Sequence, residues 1–186
     1  MRKEALYKSL NYVNHSREKR AEMAALVTNN PNLIAPLLAI AFTVNDPISS
    51  RACWVLEFTA KENLSFIFPY LDEFTAKMHT VKLNPSVRPI AKICEYLTTS
   101  YFSKLPNPTQ KAITDSHLEK ITSACFDWLI TDQKVAAQAY SMTCLLLLGK
   151  KFDWILPELK IILEQNYAKG SAAYKARARL TLEKIK

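Results

Sequence analysis

A chain of 186 residues, 49% apolar and 23% charged, is long enough for one domain that buries roughly 70% of its unfolded surface. Its two glycines, Gly149 and Gly170, belong to no Gly-rich run, which argues against β-hairpins, a P-loop and a dinucleotide fold together. The net charge of +8 is uneven: +4 in residues 1–20, +5 in residues 150–186 and −1 between them.

The chain opens on Met1-Arg2-Lys3-Glu4, charged and without the apolar stretch of a signal peptide. Apolar periodicity predicts helices over 3–14 and 16–29. A third helix, 31–43, contains Ile34-Ala35-Pro36-Leu37-Leu38. Its apolar run from Leu33 to Phe42 is about half of a membrane span, so no membrane partner is expected. Asp46-Pro47 then supplies an N-cap and a proline at the first helical position of helix 47–61, which carries Arg51, Trp54 and Glu57.

The same pair of phrases returns. Ile67-Phe68-Pro69-Tyr70-Leu71 lies in helix 64–79, and Asn84-Pro85 opens helix 86–103, which carries Arg88. A longer link, Ser103 to Gln110, reads either as a flexible insertion or as the edge of a binding surface. Ile121-Thr122-Ser123-Ala124-Cys125 repeats the first phrase without proline in helix 115–131, and Asp132 reads as the N-cap of helix 133–149. Ile155-Leu156-Pro157-Glu158-Leu159 begins helix 153–167, and Ser171 leads into helix 171–185. Proline inside a helix costs about 3 kcal/mol, so three prolines in one local context predict a wanted bend.

Cys53, Cys94, Cys125 and Cys144 lie far apart in apolar stretches with no CxxC, as reduced core residues of a cytoplasmic protein would. His15, His79 and His117 share no metal-ligand spacing, and no hydrolase, zinc-protease or EF-hand motif occurs. Neither a metal nor a cofactor is expected.

A proline-bearing first helix alternating with an Arg/Ala-rich second helix resembles HEAT and armadillo-type repeats, including HEAT-like DNA alkylation repair proteins. The resemblance spans roughly residues 31–186. It implies an all-α fold, an α-α superhelix of about five antiparallel pairs in a single domain over 1–186, with the row of second helices as a concave binding face.

Arg51, Arg88 and Lys175 take the equivalent position in three second helices. They predict either a basic stripe along that face or a set of inter-repeat salt bridges and caps. Trp54, one turn from Arg51 and beside Glu57, is a hot-spot anchor if exposed and an inter-repeat core residue if buried. Gln138 and Lys134 stand on the helix that follows Asp132. Arg51, Trp54, Glu57, Arg88, Gln138 and Lys175 are therefore the candidates for a protein or peptide partner, with nucleic acid as the alternative.

HEAT-like alkylpurine DNA glycosylases carry a Trp-x-x-x-Asp pair, and Trp128 and Asp132 match that spacing. In that role the carboxylate would stabilise charge developing on a sugar. Some short bacterial helical proteins similar to this one bear the name adenylosuccinate lyase. The long chain, signature loop and multi-subunit site of that enzyme superfamily are not visible here. No lyase activity is expected, and measurable fumarate release from adenylosuccinate would overturn this.

Overall fold

The computed structural model describes residues 3–185, and among these every regular element is a helix. The α-helices are α1 (Lys3–Ser9), α2 (Arg17–Thr28), α3 (Ile34–Ala41), α4 (Pro47–Glu62), α5 (Leu71–Lys77), α6 (Asn84–Tyr101), α7 (Pro108–Ala112), α8 (Asp115–Ile130), α9 (Val135–Leu148), α10 (Ile155–Tyr167) and α11 (Ala172–Leu182). Short 3-10 segments at Leu10–Tyr12, Pro31–Leu33, Leu64–Tyr70 and Met78–Thr80 extend or precede them. Among the described residues no single helix is long and apolar enough to cross a membrane.

Packing sorts the elements into two series. In the first, α4 packs on α2, α6 on α4, α9 on α6 and α11 on α9. In the second, α3 lies against α4, α8 against α5 and α9, and α10 against α9 and α11. The core runs between them, through Leu37, Leu56, Ile67, Phe74, Ile90, Ile93, Leu145 and Leu159, none more than 1% exposed. Ala52, Ala91 and Ala178 are fully buried at these contacts, where a small side chain lets backbones approach. Ala139 is only half-buried, and the close approach in α9 falls on Ala137.

The first-helix prolines do not bend a helix from within. Pro36 and Pro157 are third residues of α3 and α10, where the amide N–H has no intrahelical acceptor to lose. Pro69 sits in the 3-10 segment before α5. In α3 and α10 the penalty expected of a mid-helix proline is thereby avoided, whereas Pro69 lies inside its 3-10 segment and supplies no N–H there.

Asp46 caps α4 as expected, its carboxylate accepting from the Ile48 amide at 2.9 Å. Two expected caps are corrected. Asn84 is the first residue of α6 rather than its cap, and the Leu83 carbonyl takes the Ser86 and Val87 amides instead. Asp132 is not the N-cap of α9, which starts at Val135 after an uncapped Lys134. A turn closed by the Gln133 amide on the Thr131 carbonyl delays the helix by two residues.

The link after α6 is an organised element. The Asn107 side chain accepts from the Thr109 and Gln110 amides and donates to the Ser100 and Leu105 carbonyls. Gln110 closes the capping box on the Asn107 amide and donates to the Tyr101 and Ser103 carbonyls. These bonds fix Leu105 and Pro106 at the surface, with Leu105 75% exposed.

Candidate functional site

Two of the sequence candidates, Arg51 of α4 and Arg88 of α6, reach back to earlier elements. The Arg51 guanidinium donates to the Asn11 carbonyl at 2.7 Å and to Leu10 O, holding the end of the 3-10 turn that follows α1. Arg88 grips Glu57 of α4 with two parallel bonds, at 3.2 and 2.5 Å. On α11 the equivalent act falls to Arg177, which donates to Thr143 of α9 at 2.7 Å and lies 3.9 Å from Glu95. Lys175 is half-buried and makes no ion pair among the described residues. A stripe of Arg51, Arg88 and Lys175 is therefore not what these side chains form.

Trp54 is 8% exposed, so it is an inter-helix core residue rather than an open anchor. Its indole N–H donates to the Pro85 carbonyl at 2.8 Å. The reason lies four residues along α6: Pro89 has no N–H, which leaves the Pro85 carbonyl without its intrahelical donor. Sequence reading misses this link, although Pro89 inside an otherwise regular helix is its signal.

Trp128 is buried at 3% exposure, whereas Asp132 stands exposed on the link after α8. Asp132 and Gln138 line a hollow of about 530 Å³ with Lys169 and Tyr174, and Trp128 does not reach it. The two residues of the Trp-x-x-x-Asp spacing thus do not line that hollow together.

A different constellation does converge. Arg17 and Arg20 of α2, Glu57 and Lys61 of α4, Arg88, Lys92 and Tyr96 of α6, and Tyr140 of α9 line one hollow of about 350 Å³. The Arg20 guanidinium lies 4.3 Å from the centre of the Trp54 ring, and its Nε–H donates to the Asn14 carbonyl. Lys92 pairs with Glu95 and sits 4.5 Å from the Tyr140 ring centre and 5.0 Å from that of Tyr96. Among the described residues Arg17 and Lys61 have no carboxylate partner. Desolvation holds the Arg20 pKa below its ordinary value; the neighbouring Arg88 adds to this, Glu57 opposes it, and Arg17 adds further.

Lys61, Lys92 and Tyr96 also line a second hollow, of about 780 Å³, whose far wall is Leu64, Leu105 and Pro106. The cationic hollow and the apolar one share these three side chains, so they form one groove. The link between α6 and α7 is its edge.

No protein-family model matches the chain, and no curated protein or solved structure matches it.

Proposed function

We propose that the chain is a short HEAT-like α-solenoid of five antiparallel helix pairs, acting as a non-enzymatic module that binds a protein segment on its second-helix face. Support for the solenoid comes from the order of packing, α2 to α4 to α6 to α9 to α11, with α3, α8 and α10 packed on α4, α9 and α11. The observation that carries the function is the groove in which five cations adjoin an apolar wall through Lys61, Lys92 and Tyr96. A segment with an acidic side chain beside an apolar one complements both halves. This relocates the binding face from Arg51 and Lys175 to Arg17, Arg20, Lys61, Arg88 and Lys92.

Nucleic acid is the second reading, favoured by the same cations interleaved with Tyr96 and Tyr140. It fits less well. Glu95 stands between Lys92 and Arg177, so a continuous polyanion crossing from α6 to α11 would pass over a carboxylate.

Fluorescence anisotropy with a labelled peptide of alternating Glu and Leu, and in parallel with single-stranded DNA and RNA, separates the readings. Peptide binding that persists at physiological salt and falls at least fivefold in Arg17→Gln supports the module. Tighter binding of the nucleic acids, with a steep loss on added salt, supports the second reading.

A further inference from the structure

The cationic end of the groove is over-supplied with positive charge for an ordinary acidic side chain. Arg17, Arg20, Lys61, Arg88 and Lys92 face one hollow, and Glu57 is the sole carboxylate among its lining residues. Glu57 is 7% exposed and already committed to Arg88. Lys92 is paired with Glu95 beside the hollow, which leaves Arg17, Arg20 and Lys61 without a carboxylate partner among the described residues. Arg88 spends two N–H groups on it and keeps three of the five a guanidinium carries. Arg20 spends its Nε–H on Asn14 and its guanidinium carbon lies 4.3 Å from the centre of the Trp54 ring, leaving its terminal N–H groups uncommitted among the described residues. The Tyr96 and Tyr140 hydroxyls likewise make no hydrogen bond among the described residues.

We infer that this hollow is a phosphate-monoester pocket that takes a phosphorylated serine or threonine side chain of the partner protein. The inference rests on reading the groove as a protein-segment site. A phosphoryl group carries about −1.5 to −2 charges at neutral pH on three acceptor oxygens, more than a carboxylate offers. Converging guanidinium groups match those oxygens in charge and in geometry. Cations gathered around one hollow of about 350 Å³ also fit a compact dianion better than the singly charged, spaced phosphates of a nucleic-acid strand. Beside it, the wall of Leu64, Leu105 and Pro106 would receive an apolar residue flanking the phosphorylated one.

The test uses the full chain and labelled peptides of one sequence, Gly-Ser-Leu-X-Leu-Ser-Gly, with X as phosphoserine, Glu or Ser, at 150 mM salt. The expected result is at least tenfold tighter binding of the phosphoserine peptide than of the Glu peptide. It should be lost at least fivefold in Arg17→Gln and in Lys61→Gln, two side chains without ion-pair partners among the described residues, and unchanged in Lys175→Gln. Equal binding of the phosphoserine and Glu peptides overturns the phosphate pocket and leaves the protein-segment site standing. Phosphoserine binding that is indifferent to Arg17 and Lys61 places the phosphate elsewhere and also overturns it. Absence of binding by every peptide, the Glu/Leu peptide included, removes both readings. An oligonucleotide lacking a terminal phosphate that outcompetes the phosphoserine peptide assigns the hollow to phosphodiesters instead.

Discussion

The indole N–H of Trp54 stands in for the amide N–H that Pro89 lacks, so the two residues are coupled across the α4–α6 contact. Trp54→Phe should cost about 1–2 kcal/mol by stranding the Pro85 carbonyl and loosening the ring against Arg20. With Pro89→Ala in place the α6 amide can serve that carbonyl again, and Trp54→Phe should then cost less. A denaturant double-mutant cycle measures this, and strict additivity would refute the link. The Arg88–Glu57 pair makes a second case. Arg88→Ala leaves a buried carboxylate without its guanidinium and should destabilise by about 2 kcal/mol, while Glu57→Gln in the same background recovers part of the loss. The four cysteines are all buried. Burial pushes the Cys53 thiol from its ordinary 9.0 up to about 12, and Cys94 and Cys125 are also raised by burial, then by neighbouring Cys144. The folded chain therefore holds these protons more tightly than the unfolded chain. Their contribution is complete below about pH 9 and is lost as pH rises towards 12. Urea midpoints should fall over that window, and a Cys53→Ala variant should show a shallower decline.

At the scale of elements, the helices were legible because apolar side chains recur at helical spacing and Asp46-Pro47 and Ser171 are genuine starts. The prolines were legible as a repeated feature but misread in effect. A sequence does not say whether an α-helix begins two residues before its proline or ten, and only the first-turn placement removes the cost. Gly149 is a similar case, since its φ is negative and its value is not conformational freedom. A Cβ there would lie 2.3 Å from Leu156 Cδ2 and 2.4 Å from its Cγ, so the start of α10 packs directly on the bare backbone. Gly149→Ala should force Leu156 aside and cost about 1–3 kcal/mol, as should Ala91→Leu between α6 and its neighbours. Thermal melts that match the parent would show these contacts to be looser than described.

Across the whole molecule, a helix-lined binding face was expected, and of the residues expected on it Glu57 and Arg88 line the groove while Arg51, Trp54, Gln138 and Lys175 do not. Arg51 and Arg88 were picked by equivalent position along the chain, and both turn out to hold the preceding pair. Position along a helix fixes where a side chain starts, whereas the long Arg stem decides what it reaches. The cations that do line the groove come from α2, α4 and α6 at non-equivalent positions, so no repeat alignment singles out Arg17, Arg20 or Lys61. The apolar wall comes from the link at Leu105 and Pro106, where Asn107 and Gln110 hold the chain in place. An aromatic pair, half-buried Phe126 stacked on exposed Trp154, lies outside this groove and supplies the natural contrast. The most direct test of the account is therefore a backbone-amide NMR map of the pure protein titrated with the Glu/Leu peptide. Shifts confined to α2, α4, α6, α9 and the 103–107 link are the result expected of a protein-binding groove. Shifts centred on Phe126 and Trp154, or none at saturating peptide, would contradict it.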